Sequence, residues 1–202
     1  MSNEQTVQTL VATATEEFRR YGYAGTDVNR ISRRSGMAPT TFYRCFKDKL
    51  DVFLAVYREW AYREKLLMRV LMTQQASDTE LVETCVGHSR DHLPFRRSLR
   101  QLSYDEPRVR RARAQSRLEA IAEIRAWRGE RVADDARMAA DLLYLERLAD
   151  ALAEGEFADM GLDEGLARRD LATVLRRFRP APAHIVNRPQ NDELADANAL
   201  SA

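Results

Sequence analysis

Apolar residues recur every three or four positions along nearly the whole chain, and runs that alternate with period two are few. That spacing predicts an all-α protein. The first helix is expected over residues 6–21, with Val7, Leu10, Val11, Ala14, Phe18 and Tyr21 on one face and Gly22 as its terminator. A short helix should follow over 27–34, with Thr26 placed as N-cap. Gly36 then turns the chain, and Pro39 suits the first turn of another short helix reaching about residue 45. A long helix is predicted over 49–71, and further helices over 78–92, 95–104, 107–127, 133–154 and 163–178. Periodicity fails after Arg179, so residues 181–202 read as a mobile polar tail.

Two short helices around a glycine turn, at about residues 26–46, have the form of a helix-turn-helix, whose second helix enters the major groove of DNA. Val28, Ile31, Met37, Phe42 and Phe46 are spaced to pack together and against Phe18, and Ser32 and Ser35 are small where the helices must approach. The second helix then turns Ala38, Pro39, Thr40, Thr41, Tyr43 and Arg44 outward, a set offering hydroxyls and a guanidinium to phosphates and base edges.

These residues, with their spacing, resemble the TetR family of bacterial regulators. The family pattern runs Phe-x-x-x-Gly-Tyr, then Thr-x-x-x-Ile-Ala-x-x-Ala-Gly-Val-Ser, then Gly-Thr-Phe-Tyr-x-x-Phe-x-x-Lys. This chain supplies Phe18, Gly22, Tyr23, Ile31, Gly36, Thr41, Phe42, Tyr43, Phe46 and Lys49 in register, with Thr26 one residue before the pattern's threonine and Ser32, Ser35, Met37, Ala38 and Thr40 at the intervening pattern positions. The resemblance is strong over residues 4–55 and fainter over 144–179. It implies phosphate contacts from Thr26, Thr41, Tyr43 and Lys49, and base reading by Pro39, Thr40 and Arg44. It also implies a homodimer on a near-palindromic operator, usually as a repressor released by a small ligand. Ala38 departs from the family's serine N-cap, which forfeits about 1 kcal/mol of capping. Thr40 replaces a common glycine, Cys45 stands at a common aromatic or histidine site, and Leu50 replaces the glutamate after the lysine.

The expected organisation is a DNA-binding domain over 1–50, a helical effector-binding and dimerisation domain over 51–180, and the tail. Met138, Leu142, Leu145, Leu148 and Leu152 form one apolar stripe, and Leu171, Val174, Leu175 and Phe178 another. Such stripes fill a monomer core equally well, but the resemblance favours a four-helix dimer interface. Cys85, His88 and His92 share a helical face, an arrangement that can hold a soft divalent metal, line an effector pocket, or simply pack. A fourth ligand would have to be Asp91, Glu83 or water, and helical faces carry His and Cys for packing far more often, so no metal or cofactor is expected, and the three join Trp60, Tyr104, Trp127 and Tyr144 as pocket candidates.

Charge refines this picture only slightly. The 202-residue chain carries a net charge of +1, which disfavours a non-specific DNA-coating protein. Residues 1–50 hold eight basic against five acidic side chains. The arginine-rich stretch of Arg108, Arg110, Arg111, Arg113 and Arg117 reads as a solvated helix face with glutamate partners. Two cysteines, far apart, suit a reducing compartment, and no apolar run is long enough to span a membrane, so a cytoplasmic location is expected. No nucleophile–base set, paired catalytic carboxylates or phosphate loop points to an enzyme.

Overall fold

The computed structural model describes residues 2–128 and 134–180, apart from the side chain of Trp127. The expected tail and the predicted helix start at residue 133 lie outside the described residues. Among the described residues ten helices run in order: α1 (Asn3–Tyr21), α2 (Val28–Arg34), α3 (Pro39–Cys45), α4 (Lys49–Thr73), α5 (Asp78–Asp91), α6 (Leu93–Asp105), α7 (Pro107–Arg128), α8 (Asp135–Glu154), α9 (Glu156–Asp159) and α10 (Gly165–Arg177). Among the described residues there is no strand, and no helix is long and apolar enough to cross a membrane.

Local chemistry sets most of these limits. Ser2 and Gln5 close a capping box on α1, and Ser77 and Glu80 close another on α5. Asp48 caps α4 by accepting from the Asp51 amide. Asp27, not Thr26, caps α2: its carboxylate accepts from the Arg30 amide at 2.8 Å. Both residues have side chains suited to capping, and the fold uses the exposed one. The single-turn helix α9, between α8 and α10, carried no periodic signal.

The core gathers in two clusters. The first joins Leu10, Ala14 and Phe18 of α1 to Ile31, Phe42, Phe46 and the first half of α4, and also takes in Phe95 and Leu99 of α6 and Val109 of α7. The second joins Met72, Leu81 and Val86 to Ile121, Ile124, Met138, Leu152, Leu171 and Leu175. Helix α4 is unbroken from Lys49 to Thr73 and contributes to both, so the two ends of the molecule share a rigid strut.

The stripes expected at a dimer interface are used differently. Leu152, Leu171, Val174, Leu175 and Phe178 are buried in the chain's own second cluster, and Leu142, Leu145 and Leu148 pack partly buried against it. Residues of α5 and α7 pack in the same cluster. The outward face of α8 and α10 carries a different set: Leu143, Tyr144 and Leu166 are exposed large hydrophobics, joined by Ala140, Arg147, Arg169 and Asp170.

Candidate functional site

Helices α2 and α3 pack through Ile31 and Phe42, both wholly buried, with Met37 and Val28 alongside. A charged anchor fixes α2 on α1. The Glu17 carboxylate is fully buried and receives Arg30 and Arg34, one turn apart on α2, while the Arg30 guanidinium also lies 3.9 Å from the centroid of the Tyr21 ring. A buried carboxylate needs such partners, since an uncompensated charge would cost several kcal/mol. Gly36, with φ +70°, supplies the left-handed turn between the helices.

This scaffold leaves one face of α3 open. Ala38, Pro39, Thr40 and Arg44 are exposed, Tyr43 is 59% exposed, and Thr41 is half-buried. The Tyr43 ring meets Phe42 edge to face at 5.5 Å, which aims its hydroxyl end away from the core. Arg44 has no ion-pair partner among the described residues. Ala38 gives no side-chain cap, as its sequence position implied, and Pro39 holds the first turn. Arg33, exposed at the end of α2, adds a positive charge that the motif had not singled out.

Two expected phosphate contacts sit elsewhere. Thr26 is buried, and its hydroxyl donates to the Glu17 carbonyl at 3.4 Å, so its side chain is part of the α1–α2 packing. Lys49 opens α4 as expected, but its Nζ donates to the carbonyls of Tyr23 and Thr26, both at 2.9 Å, and lies 3.9 Å from the centroid of the Tyr23 ring. The ammonium thus clamps the loop that positions α2 and α3. Burial lowers its proton affinity below the usual lysine value.

The same loop is fastened from the other side by α6. The Tyr23 amide donates to Ser98 Oγ at 2.8 Å, and that hydroxyl donates onward to the Pro94 carbonyl. Gly22 (φ +66°) lies so close that a β-carbon there would stand 2.8 Å from Ser98 Oγ. Only glycine permits both the conformation and the approach. Sequence placed Gly22 as a helix terminator; the tight contact with α6 depends on residues far away in the chain.

On its opposite side α6 helps wall a cavity of about 140 Å³ between α4, α5, α7 and α8. Arg96 is buried there. Its Nε donates to Asp150 at 2.5 Å, its Nη1 reaches Glu64 at 3.5 Å, and its guanidinium stands 5.3 Å from the Trp60 ring centroid. Arg100 shares Asp150 and also holds Glu154, while Arg113 and Arg117 hold Glu146. Glu64 lies half-buried on the cavity wall, and desolvation there pushes its carboxyl up to about 7 despite the attraction of Arg96. Met68, Met72, Ile124, Leu145 and Phe178 make the rest of the wall largely apolar.

The sequence-derived pocket residues divide. Trp60, Cys85 and His88 line the cavity. His92 stands behind it, its ring 4.6 Å from that of His88 and its Nδ1 paired with the His88 carbonyl. Tyr104 is 75% exposed, and Tyr144 lies on the outer face of α8 with its hydroxyl 3.5 Å from Asp170, so neither reaches the cavity. The side chain of Trp127 lies outside the described residues. Burial pushes the Cys85 thiol up to about 12 and the His88 imidazole down to about 4, so both are neutral at physiological pH. Among the described residues no group of histidine, cysteine or carboxylate side chains is arranged to hold a metal ion. The charged wall of Glu64, Arg96, Glu146 and Asp150 was missed, because Glu146 and Asp150, one turn apart in α8, have the spacing of an ordinary solvated helix face.

Residues 10–56 match the family model of the bacterial regulatory proteins, tetR family. No curated protein matches the chain by sequence. Solved structures share its fold across both ends of the molecule. A Mesorhizobium loti protein assigned to the tetR-family transcriptional regulators superposes with a TM-score of 0.60 at 18% identity, covering 88% of this chain and 96% of its own. A transcriptional regulator from Rhodococcus sp. Rha1 gives 0.58 at 14% identity, with 85% and 95% covered. A tetR-family transcriptional regulator from Pectobacterium atrosepticum gives 0.56 at 20% identity, with 93% and 97% covered.

Proposed function

We propose that the chain, whose residues 10–56 match the model of the bacterial regulatory proteins of the tetR family, is a DNA-binding transcriptional regulator, and that it acts as a homodimeric repressor that a small ligand releases from a palindromic operator. The observation that carries the reading is the open face of α3, where Pro39, Thr40, Tyr43 and Arg44 project from a tightly packed scaffold. Exposed hydroxyls and a guanidinium on the second helix of a helix-turn-helix are what phosphates and base edges require. Pro39, Thr40 and Arg44 read bases, and Thr41 and Tyr43 hold the backbone.

Pairing is assigned to the outer face of α8 and α10, where Leu143, Tyr144 and Leu166 make an apolar patch bordered by Arg147, Arg169 and Asp170. A self-complementary patch of this kind suits a two-fold dimer. The effector enters the cavity beneath α6. That helix carries Arg96 in the cavity wall and Ser98 on the α1–α2 loop, so a shift of α6 on ligand binding moves the anchor of the DNA-reading helices. Differential contacts of this kind in two states are what release requires.

The test is a gel shift of the purified protein on the DNA upstream of its own gene, with excess non-specific competitor. A discrete, competitor-resistant complex, lost from Arg44→Ala on the same sequence, is the expected result. Equal binding to operator and random DNA would overturn the reading.

A further inference from the structure

We propose that the cavity takes a small monocarboxylate whose apolar body is about the size of one aromatic ring. The proposal rests on the cavity being the effector site and names the chemistry of its occupant. Size comes first. A space of about 140 Å³ is close to that of an apolar cavity of about 150 Å³ that accommodates benzene, which sets the scale of the ligand body. Met68, Met72, Ile124, Leu145 and Phe178 give that body an apolar wall.

The polar end of the wall holds a buried donor with no acceptor. Trp60 is 91% buried by its 9% exposure, and its Nε1–H, which can only donate, has no partner among the described residues. The neighbouring His88 Nε2 is likewise without a partner. Arg96 spends its Nε on Asp150, whose other oxygen serves Arg100, and its contact with Glu64 is long at 3.5 Å. When Glu64 holds a proton it becomes a donor too, and Arg96 must then share one carboxylate with Arg100. A ligand carboxylate supplies what is missing: acceptor oxygens for Trp60 and Glu64, and a counterion for Arg96. A cationic ligand would leave the Trp60 N–H unmatched and would compete with Arg96 for Glu64. An unsubstituted hydrocarbon would satisfy none of these groups.

Glu64 gives the proposal a pH signature. The ionisable groups that line the cavity with it are Tyr57 and Lys65 from α4, Cys85 and His88 from α5, Arg96 and Arg100 from α6, Arg113, Arg117 and Glu123 from α7, and Glu146 and Asp150 from α8. Cys85 and His88 stay neutral between pH 6 and pH 8. Glu64, at about 7, changes state within that window. A bound carboxylate favours the protonated acid, so binding takes up a proton and weakens as pH rises, by about tenfold from pH 6 to pH 8.

The experiment is calorimetric titration of the full-length protein with benzoate, benzylammonium and benzyl alcohol at pH 6, 7 and 8. Circular dichroism establishes that the variants are folded. The expected result is binding of benzoate in preference to the other two, with the pH dependence above. Glu64→Gln, which fixes the donor, should bind benzoate with a flat pH profile, and Trp60→Phe should bind it about tenfold more weakly at every pH. Preference for benzylammonium, benzoate affinity indifferent to both substitutions, or no benzoate binding by the folded protein would overturn the proposal. A gel shift on the same preparation separates the two readings. If the operator complex forms while benzoate fails, only the ligand class falls. If benzoate binds as expected and no specific DNA complex forms, the regulator reading falls and the cavity chemistry stands.

Discussion

Lys49→Met keeps most of the lysine stem and deletes the ammonium that donates at 2.9 Å to both the Tyr23 and Thr26 carbonyls. Hydrogen bonds to a charged group contribute ~1.5–3 kcal/mol each where water is excluded. Lys49 is only half-buried, and the two carbonyls recover water when it is lost, so each bond is discounted to well under that range. The contact with the Tyr23 ring adds ~0.5–1 kcal/mol. Together these come to about 2 kcal/mol, which for a chain of this length lowers Tm by roughly 4–8 °C. The assay pairs thermal unfolding by circular dichroism with operator binding by fluorescence anisotropy across a salt series. If Lys49 clamps the α1–α2 loop, Tm falls, affinity drops by one factor at every salt concentration, and the slope of log K against log salt is unchanged. If the ammonium instead holds a phosphate, the slope becomes shallower by about 0.9 and Tm stays where it was. That second pattern would refute the clamp.

Other perturbations test the remaining links. Glu17→Gln should lower stability by roughly 2 kcal/mol, less than a fully buried pair because Arg30 and Arg34 are partly exposed; an unchanged melting curve would show that the anchor carries no weight. Leu166→Arg should convert a dimer to a monomer of unchanged helicity in light scattering, whereas Leu171→Ala should cost about 2–5 kcal/mol of stability and leave the pairing surface intact. The reverse pattern would return the interface to the buried stripes. Gly22→Ala should destabilise by about 1–2 kcal/mol, and Ser98→Ala should relieve part of that, giving a coupling above ~0.5 kcal/mol in a double-mutant cycle; strict additivity would mean that the two residues do not meet.

Much of the fold was legible because it is encoded locally. Helix positions follow from apolar spacing, and Gly22, Gly36 and Pro39 mark the breaks around α2 and α3 by backbone geometry alone. The outward face of α3 follows from the same reasoning: once Phe42 and Phe46 point inward, Thr40, Tyr43 and Arg44 must point out. Local rules gave less where two neighbours were equally suited. Thr26 and Asp27 can both cap a helix, and the choice fell to the burial of Thr26 against Glu17.

What the chain determined by itself, then, was its helical class, the helix-turn-helix and the exposed face of α3, since each depends on residues a few positions apart. Tertiary structure decided the rest. An apolar stripe reads the same whether it meets its own chain or a partner, and here α5 and α7 cover Leu152, Leu171 and Leu175 and leave Leu143, Tyr144 and Leu166 outside. Lys49 became a clamp because the folded loop brings two carbonyls within reach of its ammonium. Glu64, Arg96 and Asp150 became one site because three helices converge on a cavity, and no spacing along the chain encodes a meeting between residues so far apart.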